Sequence, residues 1–472
     1  MTATRTNSGH RLGFTSLEDG DEVAVDQLPL SGELPDWLAG NLIRTGPAQF
    51  EVGGRSLNHW FDGLAMLHRF AFEGGRVAYR SRFLDSHARR AANETGELAL
   101  REFATDPCRS LFKRAQSLFR PDMTDNGNVN VAKLGDELIA MSETPMPLSF
   151  DPETLATLGV AYTPPGQHPT AHPHHDPARG ELLNHAAHFG ARSSYRVYSV
   201  PDAGPRQPRT IATIPAAEPA YMHSFAISER YLVVTEQPYV ANPLKLALSG
   251  RPFIANYEWR PERGTRFHVI DRIAGEPAGT FQTDAFFVFH HVNAFEDGGD
   301  LVVDLCAFDD PEIVEALYLG RAREEHPRMP VAELRRYRID LNGGGVTSER
   351  LADEPIELPR IAYRTRNGRP YSYVWGAGQR EQGGFFDQIV KVDVGSRTST
   401  TWHEPGTHPG EPVFVPAPDG AGEDDGVLLS VLLEPARGRS SLLVLDAADL
   451  TELARADAPH HIPFSFHGQF FR

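Results

Sequence analysis

The sequence predicts an all-β protein built from many short strands, with a propeller favoured over a sandwich or a barrel. Three observations carry this reading. Gly 42 and Pro 37 in 472 residues demand frequent turns, which suits short strands better than long helices. Apolar stretches of strand length, bounded by Gly, Asp or Asn pairs, recur along the chain. Four histidines in similar settings, His172, His223, His290 and His467, are separated by about 50, 70 and 180 residues, against roughly 40–50 residues per propeller blade. One axial metal held by residues from separate blades fits that spacing, and a sandwich would gather such distant groups less naturally. No repeat of the WD type is visible in the sequence.

Taken in order, residues 1–20 are polar and read as a flexible arm, which leaves 21–472 as a single propeller domain. The run from Gly32 to Pro47 reads as a turn, a short helical turn and a strand. His59 to Phe72 leads into Glu73-Gly74-Gly75-Arg76, a hairpin turn before Val77-Ala78-Tyr79-Arg80. The same rhythm returns at Arg230 to Glu236, Asp300 to Phe308, Asp425 to Leu433 and Ser441 to Leu445. Two segments break it. Residues 107–120 place Leu111, Phe112, Ala115, Leu118 and Phe119 on one helical face flanked by Arg109, Lys113, Arg114 and Arg120. Such a basic amphipathic helix either packs on the body or lies in a membrane interface. Residues 239–257 carry Leu244, Leu246, Leu248, Phe253 and Ile254 among Pro and Gly, as a greasy loop at a tunnel mouth or as ordinary core.

Composition narrows the function. A formal charge of -17 argues against nucleic acid and against simple attraction to an anionic bilayer. Two cysteines, Cys108 and Cys306, in no paired spacing argue for a reducing cytoplasm rather than a disulfide framework. The first 19 residues lack the apolar run of a signal peptide, and no stretch has the apolar length of a membrane span. The expected location is cytoplasmic, or peripheral on a membrane.

His172, His223, His290 and His467 form the candidate metal set, since neutral imidazole is a good ligand for iron, copper, zinc and nickel. His10, His87, His326, His403 and His408 read as surface or local hydrogen-bonding groups. His174, His175, His185 and His188 read as a polar loop or a looser metal site. Metal-bound imidazoles need their second nitrogen held, and Glu143, Glu357 and Glu411 sit in apolar or turn contexts suited to that role.

These stretches together resemble the carotenoid cleavage oxygenase family from about Leu30 to Phe471. The resemblance rests on Gly40 to Pro47, His59-Trp60-Phe61-Asp62-Gly63, Thr170-Ala171-His172-Pro173, Met222-His223, Phe289 to Glu296, Glu411 to Pro416, Glu423 to Gly426 and Phe466-His467-Gly468. It implies a seven-bladed propeller with axial Fe(2+) on His172, His223, His290 and His467, and with a loop and helix cap over one face. It further implies Glu143, Glu357 and Glu411 as holders of the imidazoles, and Val129 as a cap over one coordination position. Of the pair His290-His291, the resemblance makes His290 the ligand.

The wording of several motifs is similar to the branch holding the β-carotene oxygenases and the retinal-pigment-epithelium isomerase. In that branch the segment matching 107–120 touches the membrane, and the position of Cys108 is lipidated in one member. Stilbene-cleaving members carry a lysine where Ser142 stands, which speaks against a phenolic stilbene. The implied reaction is cleavage of a conjugated double bond by O2 into two aldehydes. The implied substrate is an apolar polyene, a carotenoid or apocarotenoid, with central cleavage to retinal-type products as the leading expectation. Stilbene-type cleavage, retinoid ester isomerisation and a non-catalytic carotenoid-binding propeller are the alternatives.

Overall fold

A computed structural model describes residues 9–106, 123–380 and 383–472. Seven antiparallel sheets of four to six strands form the blades of a seven-bladed propeller. The alternation read from sequence appears as hairpins with fixed register. Strands Leu64–Glu73 and Arg76–Phe83 pair Glu73 with Arg76 across Gly74 and Gly75, whose φ of 56° and 73° supply the left-handed pair that a tight hairpin needs. Each blade buries apolar side chains between itself and its neighbours. Trp375 of the sixth blade stacks on Phe414 of the seventh at 4.6 Å, and its indole N–H donates to Ala447 O at 3.1 Å.

The ring is closed twice. Strand Leu30–Gly32 joins the last blade by pairing with Glu452–Asp457. Strand Gly468–Phe471 joins the first blade by pairing with Gly40–Gln49, Arg44 opposite Gly468. A β-carbon on Gly468 would meet Arg44 Cγ at 2.4 Å, so this closure needs glycine there. Short helices at Glu312–Ala316 and Leu319–Ala322 and the turn Trp60–Asp62 cover one face, tied by Trp60 N–H to Leu317 O and Leu319 N–H to Asn58 O.

The expected flexible arm is corrected from Gly9 onward. Residues Gly9–Phe14 form a 3-10 helix, and Phe14 is 1 % exposed among the rings of Phe50, Trp60, Phe385 and Phe464. Burying one such ring contributes about 2–3 kcal/mol, enough to hold a polar segment in place. The expected helix 107–120, with Cys108, lies outside the described residues. The 239–257 segment is strand Tyr239–Ala241, helix Pro243–Leu248, the 3-10 turn Ile254–Asn256 and strand Tyr257–Trp259. Asn242 caps the helix by accepting from Leu244 N–H and Lys245 N–H.

Candidate metal centre

The four histidines arrive from four different blades. His172 sits between the short strands His168–Pro169 and His174–Asp176, and His223 just before Ala226–Ile227. His290 lies within Phe287–Asp297, where a bulge turns the ring to the axis, and His467 immediately precedes Gly468–Phe471. Their ligand nitrogens lie within 4.8 Å of one another, the one such group among the described residues. His172 Nε2 is 3.0 Å from His223 Nε2, and His290 Nε2 is 3.0 Å from His467 Nε2.

The other ring nitrogens explain why the Nε2 atoms carry lone pairs. His223 Nδ1–H donates to Glu143 Oε1 at 2.7 Å, His467 Nδ1–H donates to Glu411 Oε1 at 2.7 Å, and His290 Nδ1–H donates to Glu357 Oε2. With the proton fixed on Nδ1, Nε2 is an acceptor. Burial, then the neighbouring imidazoles, holds His172 well below the ordinary histidine range. Burial outweighs Glu411 and lowers His467 to about 3, and lowers His223 despite Glu143. Converging lone pairs repel unless a cation lies between them. Two nitrogens bound at a right angle to one ion at about 2.1 Å would be about 3.0 Å apart, which matches both contacts. The residues fit a divalent metal.

The glutamates are themselves held. Tyr221 O–H donates to Glu143 Oε2 at 2.9 Å. Leu358 N–H turns back onto Glu357 Oε2 at 2.6 Å, made possible by a left-handed Leu358 with φ 51°. Glu411 Oε2 accepts from Gly468 N–H at 2.9 Å and meets Arg44 Nη1 at 3.4 Å, while Arg360 Nε lies 3.1 Å from its Oε1. Burial would raise Glu411, but Arg360, His467 and Arg44 together hold it down at about 2. Burial would raise Glu143, but His223, His168 and Tyr221 together lower it.

A cavity of about 850 Å³ comes up beside this centre at Phe61, Val129, Ser142 and Glu143, without touching the four imidazoles, and extends to helix Pro243–Leu248. Leu244 and Leu248, one helical turn apart at that mouth, are 69 % and 65 % exposed. A second, smaller space of about 60 Å³ lies against His223, His290 and His467, with Phe61 lining both.

Of the other histidines, His174 bonds Tyr363 and Phe225 O, His175 bonds Asp202, and neither joins the centre. His10 is buried rather than at the surface, bonded to Ala322 O. Sequence reasoning missed Tyr221, Arg44 and Arg360. A lone arginine inside the apolar run Leu42 to Ala48 was a usable signal, since a buried cation needs a partner.

Comparison with known proteins agrees with this geometry. The family described as retinal pigment epithelial membrane protein matches residues 17–472. The "Carotenoid-cleaving dioxygenase, mitochondrial" of Mustela putorius furo is 35% identical over 97% of this chain and 95% of its own. The human "Beta,beta-carotene 15,15'-dioxygenase" is 34% identical over 93% of this chain and 91% of its own. Among solved structures, a variant of the Synechocystis apocarotenoid oxygenase superposes with a TM-score of 0.88 at 28% identity, covering 98% of each chain. A cobalt-substituted form of that oxygenase gives 0.87 at 27% identity, again over 98% of each. The chain belongs to the retinal pigment epithelial membrane protein family, the carotenoid cleavage oxygenases.

Proposed function

We propose that this chain is a non-haem iron dioxygenase that splits one conjugated double bond of a carotenoid or apocarotenoid, alkene plus O2 giving two carbonyl products. The observation that carries the reading is the four-imidazole centre, three of whose rings line a small space, beside a cavity of about 850 Å³ whose surface is mostly apolar and whose lining includes the exposed Leu244 and Leu248. His172, His223, His290 and His467 would hold Fe(2+), and Glu143, Glu357 and Glu411 would keep each partnered imidazole in its Nδ1–H form. Bound Fe(2+) would supply the activation of O2. The chain's own part is to orient the polyene and keep water away. Phe61, Phe103 and Phe289 pack edge-on or tilted at 5.1 to 5.9 Å beside His223, forming an apolar wall. Val129, 5 % exposed and backbone-bonded to His467 N–H through its carbonyl, covers one side of the centre.

The two exposed leucines suit delivery from a lipid surface, where a long polyene is dissolved. The named activities of relatives favour carotenoids over shorter alkenes, and Ser142 in the cavity wall gives a phenol no cation. Central cleavage to retinal-type aldehydes is the proposed regiochemistry.

The test is mass spectrometry of products from iron-loaded protein and β-carotene in detergent, in air and under nitrogen. Oxygen-dependent aldehydes are expected, and their masses name the bond. No aldehyde in air with iron bound sinks the β-carotene assignment and shifts weight to the pigment-binding reading.

A further inference from the structure

Glu102 is 3 % exposed and lines the large cavity, yet its Oε1 makes no hydrogen bond among the described residues. Its neighbours are accounted for. Asp62 accepts from His59 N–H, Ala104 N–H and Thr105 O–H at 3.0, 2.8 and 2.6 Å. Asp125 accepts from His87 N–H and Ala88 N–H at 2.6 and 2.9 Å. Arg101, the adjacent cation in the chain and also in the cavity wall, is engaged with Asp106 at 3.3 Å. The Glu102 backbone is fixed, its N–H donating to Thr105 O at 3.0 Å. One oxygen of this carboxyl is thus unpaired among the described residues, at the wall of a mostly apolar channel, with Thr124 and Asn126 beside the group.

We propose that Glu102 anchors an oxygen-bearing end of the polyene by a hydrogen bond, so that the cavity selects hydroxylated, keto or aldehyde-ended carotenoids and apocarotenoids over hydrocarbon ones. This rests on the proposed cleavage of polyenes in the same cavity. Leaving a buried polar group unpaired is costly, and a hydrocarbon end would do that whereas an alcohol or carbonyl end would not. Burial, then Asp62, with a smaller push from Asp125, holds this carboxyl well above its ordinary range in spite of Thr124 and Asn126 beside it. The neutral acid offers both an O–H donor and a carbonyl acceptor, so aldehyde and alcohol ends are both served. Fixing the oxygen at Glu102 also fixes which double bond lies at the four histidines, making Glu102 a positioning residue.

The experiment compares kcat/KM of the iron-loaded full chain for β-carotene and for zeaxanthin, the same skeleton with hydroxyl ends, adding an apocarotenal as a third substrate. Wild type should favour the oxygenated pigments by about 10-fold or more. Glu102→Leu should collapse that ratio, about 10-fold to 100-fold, chiefly through KM. Glu102→Gln keeps a donor and an acceptor and should retain most of it. No preference in wild type, or an equal loss for every substrate in Glu102→Leu with the ratio unchanged, overturns the proposal. Should Glu102→Leu fail to fold by its thermal melt, the wild-type ratio and Glu102→Gln decide alone. If wild type cleaves none of the three, the cleavage reading fails separately. The anchor is then judged by fluorescence-quench titration, where about 10-fold tighter binding of zeaxanthin than of β-carotene supports it and equal binding refutes it.

Discussion

Replacing Glu411 by Gln should do more damage than the same change at Glu143 or Glu357, and should do it even without metal. Glu411 is 1 % exposed and faces Arg44, itself fully buried, and Arg360. Neutralising it strands a buried guanidinium, for which breaking a buried pair costs about 3–5 kcal/mol. A second route gives a similar figure. A buried carboxyl held at about 2 rather than 4.5 contributes about 3 kcal/mol at neutral pH. The sign is that of a depressed carboxyl: the contribution is complete above about pH 4.5 and is lost as pH falls towards 2. Glu143 faces Tyr221 and imidazoles, and Glu357 faces His290 and a backbone N–H, with no arginine on either among the described residues. The assay is urea unfolding of metal-free wild type and the three Gln variants, with iron affinity measured on the same samples. All three should lose roughly 10–100-fold in metal affinity, while Glu411→Gln alone should also lose about 3 kcal/mol of apoprotein stability. Equal stability losses across the three would refute the assignment of Arg44 and Arg360 as the distinguishing partners.

Three further outcomes are expected. His290→Ala should abolish both iron content and oxygen-dependent cleavage while leaving pigment binding largely intact; retained cleavage would remove His290 from the ligand set. Leu244→Ser with Leu248→Ser should raise KM for carotenoid presented in lipid vesicles several-fold relative to carotenoid in detergent, and an unchanged ratio would mean the exposed pair plays no part in delivery. Acid should destabilise the fold through buried neutral imidazoles. His59 accepts from Phe61 N–H at Nδ1 and donates from Nε2 to Val314 O, and burial lowers it to about 3; His68 is lowered to about 3 by burial, His460 and Arg44. The unfolded chain takes up these protons first, so their contribution is full above about pH 6.5 and is lost as pH falls towards 3. Each should cost about 2 kcal/mol at pH 5, read as a falling urea midpoint; a midpoint that rises from pH 7 to pH 5 would contradict this.

How much of this was legible depended on whether a signal was local. Hairpins announced themselves, because Gly74 and Gly75 between alternating strands have one common geometric use. Histidines were legible as a set since each sits in a short apolar frame, with Pro173, Ser224 and Gly468 directly after three of them and Asn293 three residues after His290, and the resemblance then selected His290 from the pair His290-His291. The packing of residues 9–20 was not legible: one phenylalanine in a polar stretch makes no periodic pattern, and the Phe14 ring packs on rings from the distant residues 50, 60, 385 and 464. Tyr221 and Glu102 were missed for the same reason. Tyr221 acts on a partner 78 residues away, and Glu102 is marked by one oxygen left unpaired among the described residues, and neither is written in the residues alongside.

The seven blades and the seven residues of the centre correspond one to one. Blades one, three, four and five give His467, His172, His223 and His290, and blades two, six and seven give Glu143, Glu357 and Glu411. Each Glu–His bond therefore joins two different blades, and none can form before those two blades have docked. The seam between the last blade and the first shows the coupling most directly. Pairing of Arg44 with Gly468 closes the first blade, and the same register sets Arg44, His467 and Gly468 N–H on Glu411 of the seventh. Ring closure and ligand orientation are thus one event made by the same residues. Metal binding free energy must appear as stability of that closure, which is why a short terminal strand ordinarily prone to fraying can carry a ligand of the centre.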